Sequence, residues 1–342
     1  MKIAIILPSL RNVGPVKVAL NIIESLIKKS DIELTVFYIK NSIELIFPCE
    51  VKKLSIRNIF SLYKYDVIHS HMLRPDVITS LLPFFHGKKI STIHNIVDDD
   101  LYFTHGKFIS KLFSIIWVNR WKKFDNIVVL SKTALEFYVK KGLPSEKLSI
   151  IYNGMPDCLN SLNINKSDEN KILEFSKNKK IIGSMCLFNK RKGLDQIITA
   201  LPLLENYCLI LIGDGPIKNE LLELARIHDV SDRVLFLGYR ENAKCYLNIF
   251  DIYAMPSRSE GFSLALIEAA SAAMPIVCSN IDVFKEAFEP DEVSFFELDN
   301  INSFIEEVSH LPKTKGLMAR EKYLKEYTVP IMANKYFSLY NK

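Results

Sequence analysis

The sequence predicts an α/β protein made of two successive parallel sheets, each covered by helices on both faces. Short β-branched runs alternate with longer segments of helical period over residues 2–130, and the same alternation restarts over residues 180–278. A polar stretch at 157–170, rich in Asn and Ser, separates the two series and is typical of a linker. With 342 residues, the chain is long enough for two domains that each bury a core.

Each series of strands can be placed on the sequence. In the first, the predicted strands are Lys2–Leu7, Glu33–Ile39, Asp66–Ser70, Lys89–His94 and Ile127–Leu130, with a helix at Val16–Lys28. In the second, they are Lys180–Met185, Cys208–Ile212, Val234–Leu237, Ile252–Met255 and Ile276–Cys278. The tail from 318 to 340 has helical period, and Pro330 predicts a break there because proline removes a backbone donor.

Composition and charge exclude several classes of protein. No stretch offers about 18 uninterrupted apolar residues, the length of a membrane-spanning helix, and the first apolar run ends at Pro8, too early for a signal peptide. The formal charge of +5 is small for this length and does not indicate a nucleic-acid partner. The six cysteines are scattered without a Cys-x-x-Cys pair, which favours reduced thiols in a cytoplasmic protein.

The stretch Pro256–Ala270 carries the strongest chemical pattern. A buried strand is predicted to end at its start, and a helix to begin near Ser263, a residue suited to the N-cap. The amides of that helix start, with Gly261 allowing close approach, form a site suited to a diphosphate. Glu260 in the loop and Glu268 in the second turn are expected to line the same helix end. Spacing alone leaves open the alternative that both carboxylates only complement the helix dipole.

This stretch resembles the signature of glycosyltransferase family 4, or glycosyltransferase group 1, a family of retaining enzymes with the GT-B fold. The signature has a Glu, a Gly-Phe pair and a second Glu, which stand here as Glu260-Gly-Phe262 and Glu268. Three further blocks follow the family order and spacing: Gly213-Asp-Gly-Pro216, Asp232–Arg240 and Asp251–Ser257. The first of these lacks the third glycine and the acidic residue of a dinucleotide fingerprint, which disfavours a dehydrogenase.

The resemblance implies a fold and a domain organisation. In the GT-B fold, two Rossmann-like domains face each other across a cleft, and the C-terminal helix returns to the N-terminal domain. Residues 1–156 would then be an acceptor-binding domain, 157–322 a nucleotide-sugar-binding domain, and 323–342 the helix that packs back.

The resemblance also implies roles in donor binding for residues of the signature. Glu260 would contact the transferred sugar and take part in catalysis. The amides of Phe262, Ser263 and Leu264 would hold the diphosphate, with Gly261 beside them. Glu268 would bind the ribose hydroxyls.

Further donor-site residues follow from the other blocks. Gly213 belongs to the first block, and the loop at Tyr239 and Arg240 would border the nucleobase, although a Gly-Tyr turn is also common in packing. Gly14, in the loop after the first strand, would lie near the donor phosphates. The double glycine of the family is reduced there to Gly14 followed by Pro15, which makes the loop stiffer.

The sequence departs from the family at the phosphate site. Family members place an arginine five residues before a Lys-Gly pair, and both cations neutralise the leaving diphosphate. Here Lys192 and Gly193 are present, but the arginine position holds Leu187. Because loss of one such donor costs on the order of 100- to 1000-fold in rate, we expect Lys190 or Arg191 to compensate. The alternative is that these two residues form a solvated basic turn.

Histidines mark the acceptor side of the predicted site. His94 closes a predicted strand and matches the family's histidine at the reaction centre, where it would donate a hydrogen bond to the sugar or acceptor as a group that titrates near neutral pH. His71, which also ends a strand, and Asn95 are expected on the same side. The alternative is that both histidines are satisfied core residues.

Residues 101–124 contain no acidic residue and mix five basic residues with several aromatic ones. A helix of this kind is typical of contact with an anionic membrane surface. More often, such a helix packs one face on the core and keeps solvated lysines on the other. Membrane contact would suit an acceptor carried on a lipid.

Together with these features, the family resemblance implies a retaining, metal-independent transfer of a hexose-type sugar from a nucleoside diphosphate sugar, with UDP favoured over GDP. The acceptor would be a glycan or a polyprenyl-linked molecule in bacterial surface polysaccharide synthesis. No cofactor is expected, and the site would lie in the cytoplasm, at the inner face of the membrane. Alternatives are a nucleotide-sugar-binding protein that no longer catalyses, a nucleotide-sugar epimerase, and a metal-dependent GT-A enzyme that uses Asp98-Asp-Asp100.

Overall fold

Two parallel sheets organise the part of the chain described by the computed structural model, which covers residues 1–98, 107–159 and 164–342, without the side chains of 107–112. Residues 1–155 and 327–342 form one unit, called unit 1, and residues 156–326 form unit 2. The boundaries expected from the sequence, after residues 156 and 322, lie close to these.

Unit 1 is built on a seven-stranded sheet in the order β3-β2-β1-β4-β5-β6-β7. Its strands are β1 (Lys2–Leu7), β2 (Glu33–Tyr38), β3 (Glu50–Lys53), β4 (Val67–His71), β5 (Lys88–Ile93), β6 (Asn126–Val129) and β7 (Leu148–Ile150). Its first helices are α1 (Gly14–Leu26), α2 (Leu73–Ser80), α3 (Lys107–Trp121) and α4 (Lys132–Lys140). The five predicted strands are confirmed to within one residue at each end.

Unit 2 is built on a six-stranded sheet in the order β10-β9-β8-β11-β12-β13. Its strands are β8 (Lys180–Met185), β9 (Tyr207–Ile212), β10 (Val234–Gly238), β11 (Ile252–Met255), β12 (Ile276–Ser279) and β13 (Ser294–Phe296). Its helices are α5 (Lys166–Ser176), α6 (Leu194–Ala200), α7 (Lys218–Ile227), α8 (Leu264–Ser271), α9 (Asp282–Ala287), α10 (Ile301–Ser309) and α11 (Thr314–Glu326). The order of the strands is that of a doubly wound Rossmann sheet, whose two halves diverge between β8 and β11.

The linker expected at 157–170 is wrong for its last residues, because α5 begins at Lys166. Asn165 caps this helix by accepting a hydrogen bond from the Ser167 amide at 2.9 Å. Asp168 and Glu169 lie in its first turn, where negative charge stabilises a helix. Polar composition therefore marked a helix N-terminus as well as a connection.

The break predicted at Pro330 is confirmed, and the last helix packs on unit 1. Helix α11 ends at Glu326, and α12 (Val329–Asn341) begins with Pro330 in its first turn, where its missing amide costs nothing. The Met155 amide donates to the Tyr327 carbonyl at 2.9 Å. Met332, Ala333, Tyr336, Leu339 and Tyr340 of α12 are buried. The C-terminal helix thus returns to the N-terminal sheet, as the sequence predicts.

A buried carboxylate joins two strands and two helices of unit 1. Asp76, on α2, is fully buried. It accepts hydrogen bonds from the hydroxyls of Ser70 and Ser91 at 2.6 and 2.9 Å and from the Trp121 indole at 2.8 Å. Burial raises the pKa of Asp76 from 3.8 to about 7, although these three hydrogen bonds oppose the rise.

We expect Asp76→Asn to destabilise the protein by about 1–3 kcal/mol, because the amide group must face one of the three donors and leave it unpaired. The native state binds more protons than the unfolded state between the two pKa values of Asp76, so its contribution to the unfolding free energy falls as the pH rises from about 4 to about 7. Urea unfolding at several pH values should show this slope in the wild type and a weaker slope in the variant. The exposed control Asp31→Asn should change neither the unfolding free energy nor its dependence on pH. Equal pH dependence in Asp76→Asn and Asp31→Asn would contradict the account.

Candidate functional site

The loops that follow β8 and β11 lie at the point where the sheet of unit 2 changes direction. Strands β8 and β11 are neighbours, with Ile252 in register with Ile182. In open α/β sheets, ligands bind outside the carboxyl ends of strands at this switch point. The loop after β8 carries Lys190–Lys192, and the loop after β11 carries Glu260. Topology alone therefore brings together the predicted cations and the predicted carboxylate.

Glu260 is the centre of a buried ion cluster at this place. Its side chain is 6% exposed, and Oε1 lies 2.5 Å from Lys192 Nζ. Oε2 lies 3.4 Å from the Arg191 guanidinium, and the Ser257 hydroxyl donates to Oε1 at 2.8 Å. Two cations against one carboxylate leave a net positive charge, which suits a polyanionic ligand.

The charge of Glu260 is held by its neighbours. Burial raises the pKa of this carboxyl, but attraction to Lys192 and Arg191, with hydrogen bonds from Lys192 and Ser257, outweighs burial and leaves the pKa below its usual value of 4.5. Because the folded-state pKa is lowered, the cluster stabilises the fold at neutral pH and loses this contribution as the pH falls through the lowered value.

The structure separates the two residues expected to replace the lost arginine. The Arg191 side chain is 15% exposed and lies against Glu260. The Lys190 side chain is 70% exposed and lies 3.5 Å from Glu220, on the surface. Leu187, at the family's arginine position, is also exposed. The geometry favours Arg191, whereas Lys190 fits the alternative of a solvated basic residue.

The basic turn Lys190–Lys192 packs against the loop after β11 through Gly193 and Arg258. Sequence analysis missed both contacts. Gly193 has φ +64°, and a Cβ built on it would lie 2.0 Å from the Pro256 carbonyl oxygen. The Arg258 amide donates to the Arg191 carbonyl at 2.7 Å. The Arg258 guanidinium donates to the Lys190 carbonyl at 2.9 Å and pairs with Asp195 at 2.7 Å. Only the spacing of Lys192 and Gly193 hinted at this arrangement.

The helix start predicted after the loop is confirmed. Ser263 is the N-cap of α8 and accepts a hydrogen bond from the Leu266 amide at 3.4 Å. Gly261, Phe262 and Ser263 are buried, and Leu264 opens the helix. The first amides of such a helix have no partner within it, which makes this end a site for anions.

Glu268 lies in the second turn of α8, which follows the loop that carries Glu260. Burial raises the pKa of Tyr253 well above its usual value, and the charges of Cys186, Glu268 and Glu260 raise it further. The role of Glu268 toward ribose stays a prediction.

The remaining residues predicted for the donor site differ in their surroundings. A Cβ on Gly213 would lie 1.9 Å from the Cys186 carbonyl oxygen, so this glycine permits close approach of two loops. The Arg240 guanidinium pairs with Asp168 at 2.5 and 2.8 Å. Tyr239 is 61% exposed. Arg240 thus anchors its loop to α5, and contact with a base stays a prediction for both residues.

In unit 1, the predicted acceptor residues lie at the carboxyl ends of β4 and β5. His71 Nδ1 lies 2.9 Å from His94 Nε2, and the two rings stack with centroids 5.2 Å apart. The Asn95 carbonyl accepts a hydrogen bond from the Tyr138 hydroxyl at 2.9 Å. Gly14, in the loop after β1, is the first residue of α1.

The expectation that His94 titrates near neutral pH is wrong for this structure. Burial lowers the pKa of His94 to about 3. Burial, with the neighbouring His69 and His94, also lowers the pKa of His71 well below its usual value. Both imidazoles are therefore neutral at pH 7. The sequence could not show this, because it does not reveal how deeply a strand end is covered.

Two predicted features lie partly outside the described residues. In the Asp-x-Asp pattern, Asp99 and Asp100 lie outside the described residues, whereas Asp98 is described and pairs with Lys141 at 2.5 Å. Across residues 1–98, 107–159 and 164–342, no group of three or more His, Cys, Asp or Glu is placed to hold a metal. Residues 101–106 of the basic segment are also outside, and in the described helices none is long and apolar enough to cross a bilayer.

Comparison with known proteins agrees with the family resemblance. The family model described as "Glycosyl transferases group 1" matches residues 165–328, and the one described as "Glycosyltransferase Family 4" matches residues 35–157. The Escherichia coli O-antigen biosynthesis glycosyltransferase WclY is 32% identical over all of this chain and 98% of its own length.

A second relative and a solved structure extend the comparison. The E. coli UDP-Gal:alpha-D-GlcNAc-diphosphoundecaprenol alpha-1,3-galactosyltransferase is 24% identical over 82% of this chain and 78% of its own length. HepE from Anabaena, solved in complex with UDP and glucose, superimposes with a TM-score of 0.82 over the full length of both chains at 18% identity. This likeness confirms the GT-B fold predicted from the sequence.

The contact between Gly193 and Pro256 generates a test of how the cluster is held. We expect Gly193→Ala to destabilise the protein by more than about 3 kcal/mol, because the methyl group meets a backbone carbonyl in addition to the cost of positive φ. The matched control is Gly238→Ala, with φ +77° and its nearest contact at 3.8 Å, which should cost only about 1 kcal/mol. Urea unfolding of both variants checks the difference, and equal losses would show that only backbone strain matters.

Proposed function

We propose, from the premise that the chain belongs to the glycosyltransferase group 1 family, that it moves a hexose-type sugar from a nucleoside diphosphate sugar to a glycan or polyprenyl-linked acceptor. The observation that carries the proposal is the buried Glu260 cluster with its net positive charge beside the start of α8. We favour a UDP-sugar over a GDP-sugar, because one relative is named for UDP-Gal and HepE binds UDP. We place the reaction in the cytoplasm, in bacterial surface polysaccharide assembly, as the name of WclY suggests.

The proposed step breaks the bond between the anomeric carbon and the diphosphate oxygen. Positive charge grows on the sugar, and negative charge grows on the leaving group. Lys192, Arg191 and the first amides of α8 would stabilise the diphosphate, because preorganised donors aimed at developing charge lower the barrier. These cations supply the charge that a metal ion provides in other transferases, so we propose that no metal is required.

Glu260 has two tasks in this proposal. In the described state it orients Lys192 and Arg191, and with donor bound it would contact the sugar, as the family resemblance implies. Because its pKa is lowered, it would act as a charged acceptor of hydrogen bonds at neutral pH, rather than as an acid. We propose retention of anomeric configuration, with the acceptor attacking the face that the leaving group departs from.

Contact with the membrane is supported by the exposed side of α3. Phe113, Ile115 and Ile116 are 41%, 59% and 47% exposed, and the helix has Arg120 in its last turn. Its other side is core, since Val118 and Trp121 are buried. An apolar exposed face with basic neighbours suits an anionic bilayer surface, and a lipid-linked acceptor would be presented there.

Screening UDP- and GDP-sugars by thermal stabilisation, followed by product analysis with the best ligand, tests the function. We expect a rise in melting temperature for one donor, since a ligand that binds only the folded state stabilises it, and a glycosylated acceptor as product. Activity should survive EDTA. An isomer of the donor as product would indicate an epimerase. Binding of the donor with neither transfer nor donor hydrolysis would indicate a protein that no longer catalyses. Loss of activity in EDTA that manganese restores would indicate a metal-dependent enzyme.

Adjacent cations provide a matched pair for the donor site. We expect Arg191→Ala to lower kcat/KM by about 100-fold, because it removes a donor aimed at the diphosphate. Lys190→Ala removes a cation that faces solvent and should change kcat/KM less than about threefold. Steady-state kinetics with the donor found in the screen checks both. A larger loss in Lys190→Ala than in Arg191→Ala would contradict the assignment.

A further inference from the structure

Four polar side chains of unit 1 share one face of the sheet. His69 and His71 are two residues apart on β4, so both point to the same side. His71 is in register with Thr92 of β5, and His94 lies two residues beyond Thr92. The rings of His69 and His71 are 4.2 Å apart. The His71 to His94 hydrogen bond belongs to this row of side chains.

The buried position of His71 restricts where its proton can be. His71 is fully buried, and in the described part of the chain its Nε2 has no hydrogen-bond partner. If His94 donated to His71 Nδ1, the neutral His71 would carry its proton on Nε2, as a buried N–H without an acceptor. If His71 donates instead, Nε2 holds only a lone pair. Among backbone groups, orphaned buried N–H donors are rarer than under-satisfied acceptors, and the same preference favours the bare Nε2 here.

If His71 is the donor, the position of the proton on His94 follows. A neutral imidazole carries one proton, and a ring that accepts at Nε2 must hold that proton on Nδ1. His94 is half-buried, and within the residues that the structure describes no hydrogen bond is assigned to its Nδ1. Its Nδ1–H is therefore free to donate to an oxygen of a ligand.

We propose that His71 is a positioning residue that holds His94 as the Nδ1–H tautomer, so that His94 presents a neutral hydrogen-bond donor to a hydroxyl oxygen of the sugar or acceptor. The inference rests on the proposed function and names the task of His94 within it. It assigns His71 a role through His94 and no contact with substrate.

Hydrogen bonds from two tyrosines of the C-terminal helix α12 support this row of side chains. The Tyr340 hydroxyl lies 2.7 Å from His69 Nδ1, and the Tyr336 hydroxyl lies 2.9 Å from Thr92 Oγ1. Thr92 Oγ1 in turn lies 2.8 Å from His69 Nε2. Both ring nitrogens of His69 therefore form hydrogen bonds, which orient its ring against the ring of His71. Tyr336 and Tyr340 are four residues apart, on one face of α12.

The tautomer can be measured without any assay of activity. In ¹⁵N-histidine-labelled full-length protein, long-range ¹H–¹⁵N spectra distinguish a protonated ring nitrogen from a bare one, and the spectrum of His94→Gln identifies the His94 signals. We expect Nδ1 of His94 to be protonated and Nε2 bare in the wild type. The opposite pattern, or a doubly protonated ring at pH 7, would overturn the proposal.

Substitution of His71 provides the second arm. His71→Phe keeps the ring but removes the donor, and we expect mixed tautomers at His94 and a 10- to 100-fold lower kcat, with a smaller change in KM. His71→Asn, whose amide N–H can reach the position of Nδ1, should restore the Nδ1–H tautomer and most of kcat. The exposed control His86→Asn should leave both unchanged.

The outcomes separate this inference from the proposed function. If His71→Phe leaves the His94 tautomer and kcat as in the wild type, or if His71→Asn behaves like His71→Phe in both, the positioning role is wrong even though transfer is observed. If no donor supports transfer, the proposed function fails, while the spectra still decide the tautomer.

Discussion

The buried Glu260 carboxylate with its two cations is the interaction on which the loops after β8 and β11 of unit 2 depend. A carboxylate in the protein interior is costly unless it is paired and hydrogen-bonded, so the loops after β8 and β11 must stay in register. The close approach of Gly193 to Pro256 and the hydrogen bonds of Arg258 serve that requirement. The same pairing that stabilises the loops keeps positive charge oriented beside the start of α8.

Leu187 stands where the family resemblance implies an arginine, and the turn that carries Lys192 places two cations beside Glu260. Arg191 approaches Glu260 from the turn that carries Lys192, so two adjacent residues of one turn supply both charges. In unit 1, the imidazoles of His71 and His94 are neutral and are joined by a hydrogen bond. In the proposed mechanism, cations stabilise the leaving group, and neutral hydrogen-bond donors bind the sugar.

Local pattern was sufficient for the parallel strands, for Ser263 as N-cap and for the break at Pro330, because each depends on residues close in sequence. It missed β3, whose four residues are exposed at the sheet edge, and β7 and β13, which have three residues each. It also missed Asp76, Arg258 and His69, whose hydrogen-bond partners are up to 271 residues away along the chain. It brought Lys192 and Glu260 together through family resemblance, and strand order then explained why they meet. Protonation depends on burial, which no spacing reveals.

The central claim is that the charged cluster of unit 2 recognises the diphosphate of the donor. Calorimetric titration of the full chain with UDP and with uridine, at low and at high salt, tests it most directly, with GDP and guanosine as the second pair. We expect one diphosphate to bind at least about 100-fold more tightly than its nucleoside, and the difference to shrink as salt screens the charges. Equal affinities of nucleotide and nucleoside in both pairs would contradict the account.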